Sequence, residues 1–294
     1  MGILIFIGLI FVIIVFPVVR YCVFHPVKCL KQGFKDMWGY FHYKKYNLCP
    51  FFGQIYMFVA DGVHAFGSGK TLSMVEWLTS VYEKYNGLEV FDEEKQEFTI
   101  QHVIIISNVK LNGIPYIPFT AKDQFINIDK IPHSSMDILL FAIDEAGAEF
   151  NSREYKSNLP TDFLVRLLQV RHNKVGFVMT SQRFTFVDKL LRNVTGLVCT
   201  CRKVWRIVQL NYYDGFTLEN AQNSELVRPI KTRFYFATDK LYNSYDTLYN
   251  VEKLKQQLES GDLLDTSEIL ERIKSDGDLQ QVSNKIKKRY KAKK

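Results

Sequence analysis

The residues best suited to chemistry in this sequence form a short glycine-rich loop between two regular patterns. An apolar run, Ile55–Ala60, precedes the loop, and apolar residues at helical spacing follow from Leu72 onward. The loop itself reads Ala65-Phe66-Gly67-Ser68-Gly69-Lys70-Thr71. Glycines allow successive backbone N–H groups to point at phosphate oxygens, and the N-terminus of the following helix adds positive partial charge. A strand, a glycine loop and a helix in this order predict a phosphate-binding loop.

We interpret this loop as an ATP site with a bound Mg²⁺ ion. Lys70 would reach the β- and γ-phosphates, and the Thr71 hydroxyl would ligate the metal. The predicted nucleotide-binding residues are Gly67, Ser68, Gly69, Lys70 and Thr71. The strict pattern has a further glycine five residues before Gly69, where this sequence has His64. A chance glycine-lysine-threonine loop is the alternative, but the flanking strand and helix favour nucleotide binding.

A second motif supplies acidic residues at the end of another apolar run. The residues Ile138–Ile143 predict a buried strand, and Asp144 and Glu145 follow it directly. Asp144 would hold the Mg²⁺ shell, and Glu145 would polarise the water that attacks the γ-phosphate. The alternative is a strand that ends by chance in a capping acid. Together with the glycine loop, the motif predicts a catalytic site that hydrolyses ATP.

Two further apolar runs complete the predicted sheet. Val103–Asn108 lies in sequence between the loop strand and the acidic strand, and Val175–Thr180 is followed by Ser181 and Gln182. We predict that Gln182 senses the γ-phosphate, with a solvated strand-end glutamine as the alternative. The pattern predicts an α/β fold with a central, mostly parallel sheet, resembling the RecA-like P-loop NTPases.

A signalling GTPase is the disfavoured alternative. Such proteins select guanine with an Asn-Lys-x-Asp motif, and the Asn-Lys pair at 173–174 is not followed by that aspartate.

Three arginines near the predicted site are candidates for a residue that reaches a neighbouring subunit's nucleotide. They are Arg153, Arg166 and Arg171, the last two in or at the end of a predicted helix over 160–173. Any single arginine in such a position is more often an ordinary surface charge. If one of them acts in trans, the chain is a homo-oligomer.

The N-terminal residues predict a membrane anchor. Gly2–Val19 is uninterrupted by charge and just long enough to cross a hydrocarbon core of about 30 Å. A signal peptide and a buried helix are the alternatives. The basic residues that follow the run are Arg20, Lys28, Lys31, Lys35, Lys44 and Lys45. This asymmetry predicts an N-terminus outside and the remaining chain in the cytosol. Aromatic residues mixed with lysines over 38–46 suit the headgroup level, or an ordinary half-buried helix.

Length and composition limit the domain organisation. The chain has 294 residues, 47% of them hydrophobic, and a net charge of +7. We predict an anchor over 1–20, a basic and aromatic juxtamembrane segment over 21–50, an ATPase domain over 51–250, and a helical, basic tail over 251–294. The five cysteines lack paired metal-ligand spacing, and Cys199 and Cys201 in an apolar run indicate buried free thiols; this usage suits a reducing compartment. Lys285–Lys294 contains seven basic residues and no acid, which is typical of a solvated end and also suits anionic lipid or nucleic-acid phosphate.

Several of these motifs resemble the Zot family, the zonular-occludens-toxin-like assembly ATPases of filamentous phages. The resemblance rests on residues 67–73, 143–146 with Phe150 and Arg153, 171–173, 176–182 and 187–192, and it extends from Gln54 to Arg206. It implies a membrane-bound ATPase ring, related to the FtsK/HerA ATPases, that drives phage assembly and extrusion at the host inner membrane. Phage coat or assembly proteins would be its partners.

The order of segments differs from that family pattern. Family members usually have the ATPase first and one membrane span after it, whereas the predicted span here comes first and nothing beyond Val208 is apolar enough to cross. Two alternatives therefore stay open beside phage extrusion. One is an FtsK/HerA-type translocase that packages or exports DNA. The other is a membrane scaffold that is gated by ATP without productive turnover. A toxin that acts from outside cells fits poorly with a cytosolic ATPase domain.

Overall fold

An eight-stranded sheet forms the centre of the computed structural model, which describes residues 15–51, 53–62, 66–119, 123–150, 161–169, 174–223, 226–246 and 266–291. The strands are β1 Ile55–Ala60, β2 Leu88–Asp92, β3 Glu97–Gln101, β4 Val103–Ser107, β5 Lys110–Leu111, β6 Ile117–Pro118, β7 Ile138–Ile143, β8 Val175–Ser181, β9 Leu197–Val204, β10 Ile207–Asp214, β11 Lys231–Phe236 and β12 Tyr245–Asp246. The helices are α1 Pro17–Phe24, α2 Pro26–His42, α3 Lys70–Tyr85, α4 Asp123–Ile126, α5 Ala146–Glu149, α6 Thr161–Leu168, α7 Lys189–Val194, α8 Gly215–Asn220, α9 Asp239–Tyr242 and α10 Thr266–Lys291.

The order of strands in the main sheet is β11-β10-β9-β1-β8-β7-β4-β6. The six strands from β9 to β6 are parallel, and β10 and β11 add an antiparallel edge. Every residue of β7 and of β8 is buried, as expected for parallel strands that are covered on both faces. The prediction of an α/β fold with a mostly parallel sheet is confirmed.

One feature of this order determines the geometry of the site. Strand β8 lies between β1 and β7, and it pairs in parallel with both. Because parallel strands point the same way, their carboxyl ends meet at one edge of the sheet. The glycine loop after β1, Gln182 after β8 and Asp144 after β7 therefore follow adjacent strands along the same edge.

A cluster of five buried phenylalanines holds this part of the sheet to its helices. Its members are Phe125, Phe141, Phe150, Phe163 and Phe177, all at most 1% exposed. Their ring centroids lie 4.7–6.1 Å apart, in the range that favours aromatic contacts. Phe141 and Phe177 belong to the two strands that lead to Asp144 and Gln182. The cluster therefore fixes the strands that position the site.

The C-terminal helix α10 packs against the body of the structure. Ile269, Leu270 and Ile273 are buried in the same core as the sheet, and the Asn86 side chain donates a hydrogen bond to the Ile273 carbonyl at 3.2 Å. The helix continues through Lys291, so residues 285–291 of the predicted basic tail are helical. The part of that tail over 251–265 lies outside the described residues.

The buried thiols lead to a first prediction. Cys49, Cys199 and Cys201 are buried, and burial raises the pKa of the Cys49 thiol to about 12. Burial also raises the pKa of Cys199, with a further contribution from the Cys201 thiol. Since the thiolate is the reactive form, roughly one Cys49 in ten thousand is ionised at pH 8.

We expect iodoacetamide at pH 8 to leave Cys49 and Cys199 unmodified in the folded chain, as measured by peptide mass mapping. Raising the pH increases the thiolate fraction, so protection should weaken toward the pKa of about 12. The same chain in urea is the control, because unfolding restores ordinary thiol pKa values. Equal labelling of folded and unfolded chains would contradict the buried placement.

The predicted membrane anchor lies mostly outside the described residues, which begin at position 15. Its last residues enter helix α1. Within the described ranges, none of the helices combines the length and apolar character needed to cross a membrane.

Candidate nucleotide-binding site

The glycine loop joins the end of β1 to the start of α3. Gly67 and Gly69 have φ angles of +69° and +89°, a region that glycine enters without the steric cost that a side chain would incur. These angles turn the chain so that Lys70 becomes the first residue of α3. Lys70 is only 6% exposed. Residues 63–65, including His64, lie outside the described residues.

The loop contains polar groups that suit a phosphate. The Ser68 hydroxyl is buried, and no hydrogen-bond partner for it exists among the described residues. The first N–H groups of a helix also have no partner within the helix, and α3 is 16 residues long. Phosphate oxygens satisfy donors of this kind, and the helix N-terminus stabilises their negative charge. The residues present therefore fit the phosphates of a nucleotide.

Thr71 and Asp144 meet beside this loop although they are 73 residues apart in sequence. The Thr71 hydroxyl donates to the two carboxylate oxygens of Asp144 at 2.9 and 3.2 Å. A hydroxyl and a carboxylate are the hard oxygen ligands that Mg²⁺ prefers. The two side chains therefore suit a divalent metal ion next to the glycine loop.

Two side chains that the sequence analysis did not assign hold Asp144 in place. Asn108 accepts a hydrogen bond from the Asp144 N–H at 2.7 Å and donates to the Asp144 carbonyl at 3.0 Å. The Thr180 hydroxyl donates to the Asp144 carboxylate and accepts from the Glu145 N–H, the latter at 3.0 Å. Both residues are polar and stand at or just beyond the carboxyl end of a predicted strand, which is the one signal by which sequence reasoning could have found them.

Glu145 follows Asp144 directly and is exposed to solvent. Its φ of +51° is left-handed, an unusual conformation for a residue with a side chain. Partial burial raises the pKa of its carboxyl group, the Asp144 carboxylate raises it further, and Lys70 opposes both effects. A carboxylate with a raised pKa is a better proton acceptor, which suits the predicted role of Glu145 as the residue that activates water.

The remaining predicted residues have different surroundings. Gln182 follows β8 directly and is half-buried, so it stands between the strand that precedes the loop and the strand that precedes Asp144. Arg166 forms an ion pair with Asp129. Arg153 and Arg171 lie outside the described residues. Of the three arginine candidates, only Arg166 lies among the described residues, and its ion pair is with a residue of the same chain.

A small cleft of about 110 Å³ adjoins the P-loop on the side of strand β9. Its lining residues are Asp61, Phe66, Gly67, Ser68, Cys201, Arg202 and Lys203. Strand β9 continues to Val204 and pairs in parallel with β1, placing Ala60 opposite Cys201. Arg202 and Lys203 therefore flank the loop. Only the pairing of β9 with β1 reveals their position.

The sequence matches no protein-family model and no curated protein. Several solved structures are similar to this chain. One is the N-terminal domain of zonular occludens toxin from Neisseria meningitidis, which shares 18% sequence identity with it. That match covers 66% of this chain and 100% of that chain, with a TM-score of 0.43. A second is the genome packaging NTPase B204 from Sulfolobus turreted icosahedral virus 2 in complex with ATP-gammaS, with 11% sequence identity. That match covers 63% of this chain and 98% of that chain, with a TM-score of 0.41. A third is EssC (ATPases 2 and 3) from Geobacillus thermodenitrificans, with 15% sequence identity. That match covers 79% of this chain and 44% of that chain, with a TM-score of 0.34.

The structural comparison thus includes the family that the sequence motifs resemble. Because the identities and TM-scores are low, the functional proposal below is based on the geometry of the P-loop site and on the sequence motifs.

Thr180 provides a direct test of the positioning network. Thr180→Val removes the hydroxyl that holds both Asp144 and Glu145, and it leaves the Glu145 N–H without its hydrogen-bond acceptor. Loss of such a supporting hydrogen bond typically lowers activity by about 10- to 100-fold. We expect that decrease in the rate of ATP hydrolysis, measured by phosphate release. Thr180→Ser retains the hydroxyl and is the matched control, so equal rates for the two variants would contradict the assigned role.

Proposed function

We propose that this chain is an ATPase that hydrolyses ATP at the P-loop site. The observation that supports this proposal most strongly is the contact between Thr71 and Asp144 beside the glycine loop. It brings the residue at the start of α3 to the acid at the end of β7, in a sheet where β8 lies between β1 and β7. A chance glycine loop would not be expected to meet an aspartate-glutamate pair in this way.

The residues of the site divide the proposed chemistry among them. Lys70 and the loop N–H groups bind the β- and γ-phosphates and stabilise the negative charge of the transition state. Glu145 accepts a proton from the attacking water, and Gln182 contacts the γ-phosphate. Thr71 and Asp144 hold Mg²⁺, which supplies positive charge to the phosphates when bound. Asn108 and Thr180 keep Asp144 oriented.

The proposed biological role is phage assembly and extrusion at the host inner membrane. The motif resemblance to Zot-like ATPases supports this role, and the apolar residues 2–19 support a single-pass anchor with an outside N-terminus and a cytosolic ATPase body. The basic residues after the apolar run support the same orientation. A homo-oligomeric ring with phage coat or assembly proteins as partners follows from the resemblance. A DNA packaging or export motor is the alternative role.

Hydrolysis by the full chain in lipid nanodiscs tests the activity and separates the two roles. Phosphate release is measured alone, with single-stranded DNA and with double-stranded DNA, for the wild type, for Lys70→Ala and for Lys84→Ala. Lys84 lies on the same helix and is exposed, so it is the matched control. Turnover that DNA stimulates and that only Lys70→Ala abolishes would indicate a DNA motor. Turnover indifferent to DNA would favour extrusion of protein subunits. If no turnover depends on Lys70, the ATPase proposal fails.

A further inference from the structure

Helix α2, Pro26–His42, exposes an apolar stripe that the rest of the described structure does not cover. None of its residues is buried. Six large apolar side chains on this helix are 52–77% exposed: Val27, Leu30, Phe34, Met37, Trp38 and Phe41. Their spacing of three, four, three, one and three residues places them within an arc of about 100° on one face. We call this face the apolar stripe of α2.

Basic residues flank the apolar stripe. Lys31, His42, Lys35 and Lys28 follow one edge of the stripe around the helix, as the same geometry requires. The only acid of the helix is Asp36, which lies on the opposite side and accepts a hydrogen bond from Gln32 at 2.7 Å. An apolar face bordered by lysines matches the boundary between lipid acyl chains and anionic headgroups.

The backbone breaks where α2 begins. His25 lies between α1 and α2 with φ −129° and ψ 53°, outside the helical region, and Pro26 starts the second helix. A residue before proline is disfavoured in the helical conformation, and proline is well suited to the first position of a helix. Helix α1, into which the predicted anchor leads, and helix α2 are therefore separate helices that meet at His25.

The other end of α2 is fastened to the ATPase body. Tyr43 packs on Phe91 with ring centroids 4.3 Å apart, and Lys45 pairs with Glu93 at 2.8 Å. Lys44 forms an ion pair with Glu89, and Asn47 donates to the Glu89 carbonyl at 2.7 Å. These contacts join the helix to the hairpin of β2 and β3. They engage Lys44 and Lys45 with protein, whereas the lysines of α2 itself form no ion pair with the residues that the structure describes.

We propose that α2 lies in the plane of the membrane surface, with its apolar stripe at the acyl boundary and its lysines at anionic headgroups. Charge complementarity to anionic lipid and continuity with the apolar residues 2–19 favour a membrane over a protein groove as the partner. The contacts with the β2–β3 hairpin then fix the orientation of the ATPase body at the bilayer. This proposal rests on the proposed membrane anchor over residues 2–19 and extends it to α2. It does not depend on ATP turnover.

Trp38 is a natural reporter because it belongs to the apolar stripe. The chain has three tryptophans, so a background with Trp77→Phe and Trp205→Phe leaves Trp38 as the sole fluorophore. The full chain is reconstituted in vesicles of phosphatidylcholine with about a third phosphatidylglycerol. We expect lipids brominated on their acyl chains to quench the fluorescence of Trp38. Aqueous iodide should quench Trp38 in the reconstituted chain at least about threefold less than in the same chain unfolded in urea.

Quenching by iodide together with no quenching by brominated lipid would overturn the proposal. So would shielding from both quenchers that increases with the number of chains per vesicle, because a second copy would then cover the stripe.

Two matched variants separate this inference from a general loss of structure. Phe34→Glu places a charge in the stripe and should abolish quenching by brominated lipid. Gln32→Glu adds the same charge on the opposite side of α2 and should retain it. Equal quenching in both variants would contradict the proposed face. Lys70→Ala should leave the quenching of Trp38 unchanged, so failure of the ATPase proposal and failure of the lipid proposal give different results.

Discussion

Replacing Glu145 with glutamine is expected to lower the rate of ATP hydrolysis by about 10²- to 10⁴-fold, which is the usual contribution of general base catalysis. Glutamine keeps the size of the side chain and removes its ability to accept a proton. Binding of ATP should persist, since the phosphate-binding residues Gly67–Thr71 are unchanged. Phosphate release under saturating ATP measures the first effect, and binding of a fluorescent ATP analogue measures the second.

Glu83→Gln is the control for this experiment. Glu83 is exposed on α3 and forms an exposed ion pair with Lys240 at 3.9 Å, so its loss should leave turnover within about twofold of the wild type. If Glu145→Gln retains full turnover, Glu145 is not the base. If the wild type binds ATP and neither the wild type nor Glu145→Gln hydrolyses it, the chain is a nucleotide-gated scaffold.

The second large effect concerns stability. Phe177→Ala should lower the free energy of unfolding by about 3–5 kcal/mol, the typical cost of removing a fully buried aromatic ring. Phe177 is fully buried, and its ring contacts those of Phe125, Phe141 and Phe150 with centroids 5.5–6.1 Å away. The cavity would open between β8 and its neighbours, three residues before Thr180. Urea unfolding of the detergent-solubilised chain, followed by tryptophan fluorescence, measures the change.

Two variants define the scale of that measurement. Phe177→Leu retains most of the buried volume and should cost less than the alanine variant. Phe216→Ala removes a ring that is 70% exposed and should change the free energy of unfolding by no more than about 0.5 kcal/mol. A loss for Phe177→Ala as small as that for Phe216→Ala would show that the phenylalanine cluster does not stabilise the fold.

Local patterns sufficed to predict the strands that lead to the site. The prediction for β1 agrees with the structure at both ends, and those for β7 and β8 agree to within one residue. A strand buried on both faces is a continuous apolar run, which is visible in the sequence without any knowledge of its neighbours. The glycine loop was predictable for the same reason, since its function depends on a few consecutive residues.

Interactions between distant segments could not be predicted in this way. Hydrophobic periodicity reports which residues of a strand are buried but contains no information about which strands are adjacent. Asn108 and Thr180 therefore became parts of the site only once β4 and β8 were placed beside β7. Arg202 and Lys203 gained their position from the pairing of β9 with β1, and Arg166 became an ion-pair partner of Asp129 through the packing of α6.

The sequence by itself thus determined the glycine loop between β1 and α3, the acidic pair Asp144 and Glu145 after β7, and the α/β class, because each depends on residues that are close in the chain. The tertiary structure alone decided that Thr71 meets Asp144, that Thr180 and Asn108 hold the acid in place, and that the stripe of α2 is left uncovered. Burial and side-chain contacts depend on how segments far apart in sequence pack together, and that packing minimises the free energy of the whole chain instead of that of any one segment.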